Sequence, residues 1–381
     1  MSVQVSYKNQ FVVYIFLLLI FLTAVELVSN FWLYNVYACD FESNEIFKDV
    51  DPETNRKLCL ESLEYDLTKE KVDVQVGLSE KLIRLNSYNI RAHEFTEQKP
   101  ENTIRIFMIG GSTTYGSGVL NDETYPYYLQ TMFDKSELNF NVEVINSGVI
   151  AQFSYGEHKL IKEKWINFEP DLFIVLDGWN DMRAQLQGNK PLASLTLWKE
   201  RWIEICDLGK QRDFDTILTI QPFVKSGNKI LTEQEIVQYT KKVNMIKGQI
   251  EYPELSEYYA EELNQLNNHC TLTADLRGIF DDIHEPIFWD AIHVGPLGNE
   301  IIAEKIYELS LPIVIKRAQN VVNDDDLISS EIYGGSSDIL EINENLNSEN
   351  FDYYLEQSNS ALKTVLFPYK TPKVLDLIFN Q

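Results

Sequence analysis

The rhythm of apolar and polar residues changes three times along this chain. Phe11 to Val25 reads FVVYIFLLLIFLTAV without a charge, and apolar character resumes after Glu26 as far as Tyr37. A helix from about Phe11 to Leu33 would cross the roughly 30 Å of hydrocarbon in a bilayer. Glu26 would then lie away from the midplane, where a charge costs less. Trp32, Tyr34 and Tyr37 suit the far interface. Residues 38–100 are polar, charged and weakly periodic, and read as a stalk or N-terminal extension with a short helix near Ser79 to Leu85.

From residue 103 onward short apolar runs alternate with amphipathic stretches. Strands are expected at 103–109, 142–146, 171–176, 215–220 and 270–276. Helices are expected at 123–133, 155–166, 232–250, 253–269 and 296–309, the last with Pro296 in its first turn. Asp171 to Leu176 (DLFIVL) is nearly all apolar, as in a strand buried on both faces. Strands alternating with helices imply a parallel sheet covered on both sides. Residues 183–212 read as a Trp-rich insertion, with Trp198 and Trp202 on one helix face. Beyond 317 the chain turns acidic (Asp324-Asp325-Asp326), and apolar spacing returns at 351–366. The expected layout is a short cytoplasmic N-terminus at 1–10, a transmembrane helix at 11–33, and a stalk at 34–100. An α/β domain at 101–317 and an acidic linker and tail at 318–381 complete it.

Charge narrows the possible partners. The formal net charge is -25, which disfavours nucleic acid and anionic surfaces. Lys8 precedes the apolar run and Asp40, Glu42 and Glu45 follow it, so the expected orientation is N-terminus inside and the bulk outside. A retained anchor is preferred to a cleaved signal peptide, because no small-x-small site follows the run closely. The four cysteines, Cys39, Cys59, Cys206 and Cys270, form no CxxC pair and no zinc spacing. An outside location permits a Cys39–Cys59 disulfide; free thiols are the other reading. Cys270 lies in an apolar run and reads as a core residue.

Four short motifs carry the chemistry. Ser112, in Gly110-Gly111-Ser112-Thr113-Thr114, follows a strand at the carboxyl edge of the sheet, where such folds place their sites. A phosphate loop is the rival, but Ser117 stands where that loop needs Lys. Gly148, in Asn146-Ser147-Gly148, offers a backbone N–H to an oxyanion. Asn180, in Gly178-Trp179-Asn180-Asp181, offers a side-chain N–H; helix capping is its bland alternative, and Asp181 is expected to serve a local structural role. Asp290 and His293 are three apart on one turn before the last helix, so the carboxylate can hold the imidazole toward a serine. His284, near Asp281 and Asp282, is the competing base.

Taken in order, Gly-x-Ser, Gly, Gly-x-Asn-Asp and Asp-x-x-His resemble the SGNH/GDSL serine hydrolases over residues 103–310. The resemblance implies a three-layer α/β/α sandwich with a mainly parallel, flavodoxin-like sheet, here with one N-terminal transmembrane helix. It implies Ser112 as nucleophile, His293 as base and Asp290 as its orienter. Ser112 N–H, Gly148 and Asn180 would form the oxyanion hole, and no cofactor or metal is implied. Gly111 departs from the eponymous motif, which has Asp there. The expected activity is hydrolysis of short acyl esters of small molecules, lipids or glycans. An O-acyltransferase would use the same residues, and a non-catalytic anchored binding module is the reading from a different class.

Overall fold

Among the described residues, five parallel strands form one sheet in the order β2-β1-β3-β4-β5. They are β1 (Thr103–Gly110), β2 (Asn141–Asn146), β3 (Leu172–Asp177), β4 (Asp215–Ile220) and β5 (Leu272–Asp275). The helices are α1 (Tyr7–Asn35), α2 (Pro52–Leu67), α3 (Ser112–Tyr115), α4 (Tyr125–Lys135) and α5 (Ser154–Glu163). They continue with α6 (Trp179–Leu186), α7 (Leu195–Arg212), α8 (Glu233–Asn244), α9 (Tyr252–Gln265) and α10 (Pro296–Ser330). This computed structural model describes residues 7–35, 41, 44–67, 82–188, 192–244 and 252–330. The expected pairing partner Cys39, the helix at 351–366 and the acidic tail beyond 330 lie outside the described residues.

Period-two alternation divides the core between two faces. Ile106, Met108, Ile174 and Leu176 point to one side and meet α4 and α10 through Leu129, Phe133, Ile302 and Ile306. Phe107, Ile109, Phe173 and Val175 point to the other and meet α5, α7 and α9 through Ile161, Trp198, Trp202 and Tyr259. The result is the expected three-layer α/β/α sandwich. The 2-1-3-4-5 order is the flavodoxin-like one, and its winding reverses between β1 and β3.

Three local expectations need correction. Residues 183–212 are not an insertion: α7 is the crossover from β3 to β4, and both its Trp side chains are fully buried. Residues 82–85 are not helical. Helix α10 continues past 309 to Ser330, through Pro312. The described part of the expected stalk folds against the sandwich. Ile90 and Phe95 join the core beside Phe107 and Trp165, while Phe41, Phe47, Leu58 and Cys59 cluster with Tyr115. Helix α1 contains a 23-residue stretch, Tyr7–Ser29, long and apolar enough to cross a membrane.

Cys270 is buried as expected, but it is bonded to Cys206 on α7. Two cysteines 64 positions apart carry no local pairing signal. Cys59 is disulfide-bonded as well. On the chain-entropy account a loop of this length is worth about 4 kcal/mol. The Cys206→Ser/Cys270→Ser double variant should therefore lose roughly 2–4 kcal/mol of unfolding free energy in urea titrations. An unchanged midpoint would show that the bond does not contribute.

A second stabilising feature is pH-dependent. Asp177 ends β3, and its Oδ2 accepts from the Nε1–H of Trp198 (3.0 Å) and Trp202 (3.3 Å). Asp181 accepts from Ser154 N–H at 2.8 Å and Ser154 Oγ–H at 2.5 Å. Glu157 is 1 % exposed, and no donor among the described residues reaches either of its carboxylate oxygens. Burial, then repulsion from Asp177 and Asp181, raises the Glu157 carboxyl well above its ordinary range. Burial likewise raises Asp177 and Asp181. The folded chain therefore holds protons that the unfolded chain releases above the ordinary carboxylate range. Stability is full below that range and falls as pH rises above it. Glu157→Gln removes this term and supplies an amide donor to its acidic neighbours. Its melting temperature should exceed that of the wild type at pH 8 by about 2–4 °C per kcal/mol recovered, and the gap should close toward pH 4.5. A gap independent of pH would refute the buried proton.

Candidate active site

The crevice at the carboxyl ends of β1 and β3 is where this winding leaves room for a ligand. Ser112 follows β1 and is the first residue of α3, so no earlier helical carbonyl uses its N–H. The four residues of α3 are all buried and held from several sides. Thr114 Oγ1 pairs with Tyr125 OH at 2.8 Å, and Gln221 Nε2 donates to Thr113 Oγ1 at 3.4 Å. The Arg91 guanidinium donates to the carbonyls of Gly116 and Val119, each at 2.6 Å, and of Tyr115 at 3.3 Å. Its Nε–H donates to Asn121 Oδ1 at 2.7 Å.

His293 arrives from the loop before α10. Its Nε2 is 2.6 Å from Ser112 Oγ, and its Nδ1 is 2.9 Å from Asp290 Oδ2. A carboxylate only accepts, so the neutral ring carries its proton on Nδ1 and Nε2 accepts from the serine hydroxyl. Asp290 Oδ1 accepts from the N–H of Ile292 (2.8 Å) and of His293 (2.7 Å), which fixes the carboxylate relative to the ring. Ser112, His293 and Asp290, the three residues expected to act together, are thus brought together in hydrogen-bonding order. The competing His284 is exposed on the preceding turn.

The expected oxyanion donors fare differently. Asn180, in the first turn of α6, donates one Nδ2–H to Gln152 O at 2.7 Å and keeps a second for another acceptor. A Cβ on Gly111 would stand 2.5 Å from Asn180 Nδ2, so a side chain here would push the Asn180 amide aside. Gly148 differs from expectation: its N–H donates to Asn146 Oδ1 at 3.0 Å, so that donor is already occupied. Its lack of a side chain is used instead to pack on the Tyr115 amide, where a Cβ would collide. Asp181 has the local structural role expected of it.

Sequence reasoning missed Arg91, Gln152 and Trp289. Arg91 and Gln152 act through backbone carbonyls that no motif marks. Trp289 had a visible signal, an aromatic residue directly before Asp290. Its indole lies against the His293 ring with centroids 5.0 Å apart and planes 12° from parallel.

No family model matches this chain, and no curated protein matches it. Among solved structures it is similar to an α/β hydrolase from the metagenome of Lake Arreo. That similarity has 16% identity, covers 55% of this chain and 94% of that one, and has a TM-score of 0.42. An acetyl xylan esterase (16% identity, 54% and 99% covered, TM-score 0.41) is similar to the same extent. So is another acetyl xylan esterase, from Geobacillus stearothermophilus (16% identity, 55% and 94% covered, TM-score 0.41).

Proposed function

We propose that this chain is a membrane-anchored serine esterase of the SGNH type, acting on short acyl esters outside the cell. The observation that carries this reading is the continuous Ser112–His293–Asp290 relay. As Ser112 Oγ attacks the acyl carbon, His293 Nε2 takes the hydroxyl proton and Asp290 stabilises the imidazolium. The oxyanion forms beside Ser112 N–H and the second Nδ2–H of Asn180. One such donor is typically worth about 3 kcal/mol in the transition state. His293 then gives its proton to the departing alkoxide and leaves an acyl-Ser112. Water, deprotonated by His293, attacks that ester and regenerates the serine.

The outward location is supported by α1 and by the Cys206–Cys270 bond, since disulfides persist in oxidising compartments.

The test is fluorophosphonate labelling and p-nitrophenyl ester hydrolysis by the full chain in detergent, across a series of acyl lengths. Ser112→Ala should abolish labelling. Ser112→Ala and His293→Ala should each lower kcat by at least about 10³-fold. Asn180→Ala should retain labelling and lose about 10²–10³ in kcat. A folded wild-type chain that neither labels nor hydrolyses any member of the series would refute the reading. Activity rising with acyl length would refute the short-acyl part alone.

A further inference from the structure

The reaction requires the His293 ring to stay where Nε2 reaches Ser112, and residues remote in sequence bear on that position. Trp289 covers one face of the imidazole (5.0 Å, 12°). Its backbone N–H donates to His293 O at 3.0 Å, closing the turn that carries Asp290 and His293. Its indole Nε1–H donates to Ser117 O at 3.2 Å, on the loop that leaves the nucleophile helix. One residue therefore touches the base, closes its turn and reaches the nucleophile's side of the crevice.

Trp289 is in turn gripped by the segment that follows α1. The Phe41 ring meets the indole at 67° with centroids 5.0 Å apart, and Phe41 and Phe47 stack at 4.2 Å. Phe41 is 5% and Asn44 3% exposed. Asn44 Nδ2–H donates to Trp289 O at 2.8 Å. Ile46 presses on Gly295, filling the space a Cβ there would need. Both flanks of the turn are thus held from one side, Trp289 by Phe41 and Asn44 and Gly295 by Ile46.

We propose that Trp289 is a positioning residue for His293, and that Phe41, Asn44 and Phe47 form the clamp that sets Trp289. The proposal rests on the esterase reading above. Without the indole the ring keeps its Nδ1–H bond to Asp290 but loses the surface that stops it tilting about that bond, and Nε2 drifts from its line to Ser112 Oγ. A misplacement of about 1 Å in such a relay can cost about 10²-fold in rate. The indole face also lies against the imidazolium that forms as the serine proton is taken, an electrostatically favourable arrangement. The clamp touches neither serine nor substrate, so its effect falls on kcat and travels through Trp289.

The experiment measures kcat and KM on p-nitrophenyl acetate, with fluorophosphonate labelling rates and thermal midpoints, using the full chain in detergent. Trp289→Ala should lower kcat by about 10²-fold with KM within about twofold. Trp289→Phe, which keeps a ring on the imidazole, should recover most of that loss. Phe41→Ala and Asn44→Ala should each lower kcat several-fold at unchanged KM. The Phe41→Ala/Trp289→Ala pair should be no slower than Trp289→Ala alone, because the clamp has nothing left to hold. Losses that multiply in the pair would overturn the proposal. So would wild-type kcat in folded Trp289→Ala or, should that variant not fold, in Asn44→Ala. A labelling wild type with unaffected variants removes the clamp and leaves the esterase reading standing. An inert wild type removes both.

Discussion

The crossovers at β1 run in opposite senses: α4 leads to β2 along one face of the sheet, and α5 leads back to β3 along the other. Neither helix can cover the carboxyl ends where the two paths part, so the crevice there is a consequence of winding. All eight residues of β1 and all six of β3 are buried. The ends of these strands are therefore held by the deepest part of the core. Ser112 follows one strand by two residues and Asn180 follows the other by three, so both inherit that rigidity. His293 is the exception. It comes from a loop after β5, at the far side of the sheet, and depends on contacts outside the sheet for its place.

Asn180 has its own support beneath it. Asp177 closes β3 just before the Gly178 turn and accepts from the indoles of Trp198 and Trp202, which tie it to the crossover helix. Asp181, the residue after Asn180, is tied to the start of α5 through Ser154. Arg201 donates to the same Ser154 hydroxyl at 2.9 Å. The Asn180 turn is therefore bracketed by two buried carboxylates whose oxygens are spoken for. The third carboxylate, Glu157, has no such donors, and protonation is the way this site avoids three buried charges in contact.

The strands and most helices of the sandwich were legible because they are local. Ile106 to Ile109 and Leu172 to Leu176 are apolar at successive positions and short, as in strands covered on both faces. The relay was legible for a similar reason: Asp290 and His293 share one turn, and Ser112 follows a strand and two glycines. What was missed is non-local. The described residues 82–95 lack periodicity because they are neither strand nor helix. Phe41 finds its partner at Trp289 and Arg91 at Gly116, and no spacing encodes such pairs. The bond between Cys206 and Cys270 bridges 64 positions for the same reason. A glycine after a strand looks alike in sequence whether its N–H faces a substrate or, as at Gly148, bonds the side chain of its own Asn146.

Arg91 shows why this outer segment belongs to the site rather than hanging beside it. Its guanidinium is 5% exposed, and burial lowers its pKa to about 10, so it stays charged at neutral pH. Burying a charge is costly unless strong acceptors replace its water. Here they are the carbonyls of Tyr115, Gly116 and Val119. These leave the carboxyl end of the four-residue helix α3, where a cation is favoured. A helix this short has little stability of its own. Its carbonyl end is fixed by Arg91 and its middle by Tyr125, and Ser112 at its amino end is thereby set against His293. The aromatic clamp performs the same service for His293 from residues 41–47. Ser112 and His293 are thus each approached by residues that precede the sheet, Arg91 on the side of α3 and Phe41 and Asn44 on the side of Trp289.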